Sequence, residues 1–105
     1  IDLHNGDAFE LIGNLPQDEL FDMIFIDGDK ERYLDYVHKT EPLLSPNGIM
    51  IVDDCFFHGD VANDTPVDKS KGAGTKAFMD WAANQDDWLR IALPLTNGIF
   101  MMVRK

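Results

Sequence analysis

Apolar positions along the chain fall into short blocks separated by acidic and turn-forming residues. Ile1 to His4 alternates apolar and polar and stops at Asn5-Gly6, the pattern of a strand end. Asp7 then stands at a helix N-cap, with Glu10 three residues later as its reciprocal partner, Phe9, Leu11, Ile12 and Leu15 as the apolar side, and Pro16 as the stop. Phe21-Asp22-Met23-Ile24-Phe25-Ile26 is nearly continuous in apolar residues, which predicts a strand buried on both faces of a parallel sheet. Beyond Asp27-Gly28-Asp29-Lys30 a helix is predicted from about Glu31, with Tyr33, Leu34, Val37 and Leu43/Leu44 near one stripe and Ser45-Pro46-Asn47-Gly48 as its closing turn. Ile49 to Val52 is a second apolar strand and runs into Asp53-Asp54. Strand, helix, strand with both strands buried is the order of a right-handed βαβ unit.

From Cys55 to Lys71 the chain is irregular and rich in Asp, Asn, Pro and Lys, and a loop this long in a small domain is usually functional or mobile. A helix carrying Ala73, Ala77, Phe78, Trp81 and Ala82 on one face follows. Strands from Trp88 to Leu93 and from Ile99 to Val103 then flank Asn97-Gly98, a hairpin cue that makes this last pair antiparallel. No repeat, low-complexity tract or linker divides the chain, and its 105 residues allow one domain at most.

Charge sharpens the picture: 19 Asp and Glu against 9 Lys and Arg leave a formal net charge of −10. Such a surface repels nucleic acid and attracts cations. A hydrophobic share of 45% is that of a chain with a packed core, and no apolar run approaches the roughly 20 residues of a membrane span. No signal peptide is visible at Ile1, which need not be the native start. The lone Cys55 cannot form an internal disulfide, and a reducing, cytoplasmic setting is the simplest expectation.

Both predicted buried strands end in acids, Asp27-x-Asp29 and Asp53-Asp54. The carboxyl ends of adjacent strands in an open α/β sheet face one crevice, where ligands bind. Carboxylates gathered there need a cation, a basic side chain or protons, and oxygen donors suit Mg²⁺, Mn²⁺ or Ca²⁺. The plain alternative is that Asp29 only caps a helix and Asp54 only sits in a turn. An EF-hand is excluded, because Arg32 and His38 stand where that loop needs Gly and Glu. Gly72-Ala-Gly-Thr-Lys-Ala77 spells a dinucleotide fingerprint without the preceding strand, so these glycines are expected to give a flexible helix start. Lys30 is either a base whose proton affinity burial lowers or a counter-charge to the acids. His58 could reach the crevice from the long loop, and Phe56 and Phe57 are either core plugs or a substrate wall. Cys55, beside the acids, is not expected to act as a nucleophile.

The string Phe21-Asp-Met-Ile-Phe-Ile-Asp-Gly-Asp-Lys-Glu-Arg-Tyr-Leu-Asp-Tyr36 resembles the cation-dependent, S-adenosylmethionine-dependent O-methyltransferases, the group of caffeoyl-CoA and catechol O-methyltransferases. The likeness continues through Leu44-Ser-Pro-Asn-Gly-Ile-Met-Ile-Val-Asp-Asp54, Phe57-His-Gly-Asp-Val61 and Leu93-Pro-Leu-Thr-Asn-Gly98. It implies a class I methyltransferase Rossmann-like α/β sheet, mostly parallel with a C-terminal antiparallel hairpin, of which residues 1–105 are the C-terminal part of a single domain lacking the N-terminal strands and the glycine-rich cofactor turn. It implies that Asp27, Asp53 and Asp54 hold a divalent cation, with Asp54 where the family usually has Asn. It further implies that Gly6, Asp7, Ala8, Asp27, Asp29 and Tyr36 contact S-adenosylmethionine and that Lys30 is the catalytic base. The implied reaction moves a methyl group to a metal-bound hydroxyl of a small catechol-like or phenolic acceptor, since a cation favours the deprotonated oxygen. Nucleic acid and membranes are not expected partners, and homodimerisation of the full-length form is left open. Methylation of a hydroxylated tRNA base, a haloacid-dehalogenase-type phosphatase and an inactive fragment stand as alternatives.

Overall fold

The computed structural model describes residues 1–105. Its elements are α1 (Ala8–Gly13), β1 (Phe21–Ile26), α2 (Tyr33–Thr40), β2 (Leu44–Asp53), α3 (Lys71–Ala83), β3 (Trp88–Leu93) and β4 (Ile99–Arg104). Short 3-10 turns occupy Lys30–Arg32, Glu41–Leu43 and Phe57–Ala62. The strands form one sheet in the order β1-β2-β4-β3. β1 and β2 are parallel, whereas β4 pairs antiparallel with both β2 and β3. The four strands in this chain thus form a mixed sheet, the parallel β1–β2 pair carrying the expected antiparallel C-terminal hairpin, which returns β4 between β2 and β3.

α1 begins where its cap predicts: the Asp7 carboxylate accepts the Glu10 N–H at 3.0 Å. Ile1 to His4 forms no strand, since no strand edge in the chain is paired with it, and Ile1 and Leu3 are fully exposed. Ser45-Pro46-Asn47-Gly48 lies inside β2 and does not separate helix from strand. Its turn character survives as a break in the ladder: Phe21 pairs with Leu44 but Met23 with Ile49, so three extra residues bulge from β2.

The core lies on one side of the sheet. Ile26, Met50, Val52, Phe100, Met102 and Trp88 are buried there against Tyr33, Tyr36 and Val37 of α2 and Phe78 and Ala82 of α3. On α3 the buried stripe is Gly72, Thr75, Phe78 and Ala82, while Ala77 is exposed, so the helix is rotated from the predicted face. The glycines explain the rotation: a β-carbon on Gly74 would overlap the Lys30 carbonyl oxygen and come within 2.6 Å of the Glu31 α-carbon. They permit close approach and are not a flexible start.

The opposite sheet face has no helix. Met23, Ile49, Val103 and Leu89 form one cross-strand row and Phe25, Ile51, Met101 and Ile91 the next. Met23 and Phe25 are more than half exposed. β1 is thus buried on one face only, and it is an edge strand, contrary to the burial on both faces that its apolar run suggests.

Candidate active site at the strand ends

Parallel pairing of Ile26 with Val52 brings Asp27 and Asp53 to the same end of neighbouring strands. Asp54 follows with φ 57°, a left-handed conformation that Asp and Asn tolerate better than most residues. This preference gives a physical reason for either residue at that turn. The turn is held by two bonds: the Asp54 N–H donates to Asp53 Oδ1 at 2.8 Å, and the buried Tyr33 hydroxyl donates to the Asp53 carbonyl at 2.8 Å. Past it, the Cys55 N–H donates to the Gly98 carbonyl and the Phe56 N–H to that of Asn97, latching the hairpin loop to the site. Phe56 fills the space over Gly98, where a β-carbon would overlap its ring, so Phe56 is a core plug.

Lys30 Nζ lies 2.8 Å from Asp54 Oδ2, while Asp54 Oδ1 is buried without a hydrogen-bond partner. The Asp54 carboxylate raises the proton affinity of Lys30 above its ordinary value, outweighing the lowering effect of burial. In this geometry Lys30 is a counter-charge, and the lowered proton affinity that a base needs is not met. Burial pushes the Tyr33 hydroxyl up to about 12 and the Cys55 thiol up to about 11, so Cys55 stays a thiol at neutral pH as expected.

No three acid side chains converge as a ready metal cage, unlike the Asp27, Asp53 and Asp54 cluster expected. The local reason is legible: Asp54 reaches for Lys30, and Asp53 Oδ1 is turned to the amide of its own neighbour. The oxygen chemistry nevertheless fits a hard cation, and the orphaned Asp54 Oδ1 is a buried acceptor in need of one.

Behind Asp27 lies a cavity of about 400 Å³, lined by Ala8, Ile12, Asp27, Gly28, Tyr36 and Thr40 together with apolar residues of β1. Three of the expected cofactor residues, Ala8, Asp27 and Tyr36, thus share one hollow. Asp7 is engaged as helix cap and with Arg32 Nη1 at 3.6 Å, and Asp29 caps the Lys30–Arg32 turn. Neither these two nor Gly6 lines the hollow. The Arg32 guanidinium lies 4.2 Å from the centre of the Phe9 ring, whose edge meets Tyr36 at 6.0 Å, so α1 is fastened to α2 beside the cavity.

His58 is exposed and lines a separate hollow with Phe57, Asp60 and Asp68. That loop is organised by two acids that the sequence did not single out. Asp60 accepts N–H bonds from Val67 and Asp68, and Asp68 accepts those of Ser70 and Lys71. Their spacing to later backbone amides carries no sequence signal, but the backbone N–H bonds hold both carboxyls below the ordinary carboxylate value of 3.8. A depressed folded-state value means that the stabilisation is complete above the ordinary value and is lost as pH falls through the folded one. Amide exchange at Val67, Ser70 and Lys71, corrected for intrinsic rates, is therefore expected to accelerate below about pH 4 before the core opens. Unchanged protection there down to pH 2 would contradict this role.

All of residues 1–105 match the O-methyltransferase family. Caffeoyl-CoA O-methyltransferase 2 of Eucalyptus globulus is 33% identical over 115 residues, covering 99% of this chain and 46% of the relative. The O-methyltransferase of Bacillus cereus, solved in complex with SAH, is 29% identical with a TM-score of 0.77 over 94% of this chain and 46% of that one. The SAH-bound methyltransferase of Podospora anserina is 25% identical with a TM-score of 0.79, over 95% of this chain and 47% of its own. The chain spans about half the length of the curated relatives it matches. A match that runs from the first residue to the last, beside a relative one-third identical, means that the chain belongs to the O-methyltransferase family.

Proposed function

We propose that residues 1–105 form the acid-bearing C-terminal part of a methyltransferase domain, which transfers a methyl group from S-adenosylmethionine to a hydroxyl of a small catechol-like acceptor. The observation that carries this is that Asp27, which lines the hollow with Ala8 and Tyr36, stands at the same strand end as Asp53 and the Lys30–Asp54 pair. Relatives solved with SAH support the cofactor. Ala8, Asp27 and Tyr36, which line the hollow, would hold the cofactor there, Ala8 beside its adenine and Tyr36 beside its amino acid portion. Asp27, Asp53 and Asp54 would hold Mg²⁺ or Mn²⁺, which when bound supplies positive charge to an acceptor oxygen as its proton leaves. The acceptor oxygen forms the new C–O bond as the C–S bond of the sulfonium breaks. Paired with Asp54, Lys30 is an ammonium that neutralises the acids; it would accept the hydroxyl proton only after Asp54 Oδ2 is drawn away and its own proton has passed to solvent.

Family membership leaves the phosphatase alternative without support, and Lys30 and Glu31 stand where that chemistry wants a small hydroxyl residue after the second Asp. The test is turnover of a catechol by the full-length protein with Mg²⁺ and S-adenosylmethionine. Chelation with EDTA is expected to remove activity by at least about a hundredfold, as loss of a charge-stabilising group does. Equal turnover in EDTA would overturn the cation's part.

A further inference from the structure

Tyr33 is fully buried, and its position is over-determined. Its hydroxyl donates to the Asp53 carbonyl at 2.8 Å. Its ring lies 5.7 Å from Lys30 Nζ and packs edge-on against Phe78 at 6.4 Å. A single side chain therefore links the helical layer to the last residue of β2, one residue before the left-handed turn that aims Asp54 at Lys30. The bond falls on the backbone, where nothing else in the helical layer grips the strand end by a side-chain hydrogen bond. The main chain at Asp53 fixes two carboxylates at once, the one on Asp53 and, through the turn, the one on Asp54.

We propose that Tyr33 is a positioning residue: its hydroxyl sets the pitch of the Asp53–Asp54 turn and so the reach of both carboxylates. This deepens the function proposed above and rests on it for the cation. Phe at this position keeps the ring packing and removes only the donor, so the strand end loses its anchor while the core stays filled. Groups that orient ligands from behind affect metal affinity by about 10- to 100-fold, and the same range is expected here.

The test compares the full-length wild-type protein with Tyr33→Phe and with Thr75→Val. The latter removes a buried hydroxyl of α3 that bonds to Lys71 and Gly72 carbonyls. Mn²⁺ affinity, read by electron paramagnetic resonance, is expected to fall at least about tenfold in Tyr33→Phe and to stay at the wild-type value in Thr75→Val. Without metal, amide exchange at Asp54 and Cys55 is expected to quicken at least about tenfold in Tyr33→Phe alone, as one lost hydrogen bond allows. Wild-type affinity in Tyr33→Phe, or an equal loss in Thr75→Val, overturns the proposal. A wild-type protein that binds no Mn²⁺ while exchange still quickens in Tyr33→Phe overturns the cation site and upholds the positioning role. If exchange is unchanged, the positioning role itself is wrong.

Discussion

Phe78→Ala is expected to cost about 3–5 kcal/mol of folding stability, the range for emptying a buried aromatic site. Phe78 is completely buried where α2, α3 and β4 meet. Its ring meets Phe100 of β4 edge-on at 5.4 Å and Tyr33 of α2 at 6.4 Å, and it tilts against Trp81 at 6.4 Å. Collapse into the vacated volume is hindered because α3 is already pressed onto the Lys30–Glu31 backbone through Gly74. Small domains have only about 5–15 kcal/mol in all, so this one truncation removes a large part of the margin. The midpoint of urea unfolding followed by circular dichroism reads the loss, and a decrease below about 1 kcal/mol would show that α3 is not held through this ring.

Gly74→Ala is expected to destabilise by about 3 kcal/mol, near the top of the usual range for overpacking. Elsewhere in an exposed helix this change would gain up to ~1 kcal/mol of helix propensity. Here the new methyl meets backbone, the Lys30 carbonyl oxygen and Glu31 α-carbon, which cannot rotate away as a side chain end would. Relief requires α3 to lift from the Lys30–Arg32 turn. Unfolding midpoints measured for Gly74→Ala beside Ala77→Gly on the exposed side separate the effects: the first is expected to lose more. A Gly74→Ala protein as stable as the parent would mean that the close approach of helix and turn does not persist in solution.

The site's skeleton was readable in the sequence where chemistry and period coincide. The apolar runs Phe21–Ile26 and Ile49–Val52 ending in acids identify two neighbouring parallel strands, and Asp7 with Glu10 marks the start of α1. What escaped depends on contacts between distant segments. That β1 is bare on one face follows from the absence of any helix over the Met23 and Phe25 rows, and an apolar run alone cannot report which face is covered. Gly72 and Gly74 have the same letters whether they loosen a helix or let it approach a turn. Tyr33 reads as one more core residue on an apolar stripe, because its bond is to a backbone carbonyl twenty residues away. The Lys30–Asp54 pairing reverses the expected effect of burial on the lysine, and only its 2.8 Å geometry reveals this.

S-adenosylhomocysteine titrated calorimetrically into the full-length protein, wild type against Tyr36→Ala and Asp27→Ala, tests whether the hollow behind the strand ends holds the cofactor. Both residues line that hollow. Each variant is expected to bind at least about tenfold more weakly, a loss of roughly 1.4 kcal/mol or more, measured below the unfolding midpoint of Tyr36→Ala, whose emptied core position lowers its stability. Wild-type affinity in both variants would contradict the assignment of this cavity to the cofactor.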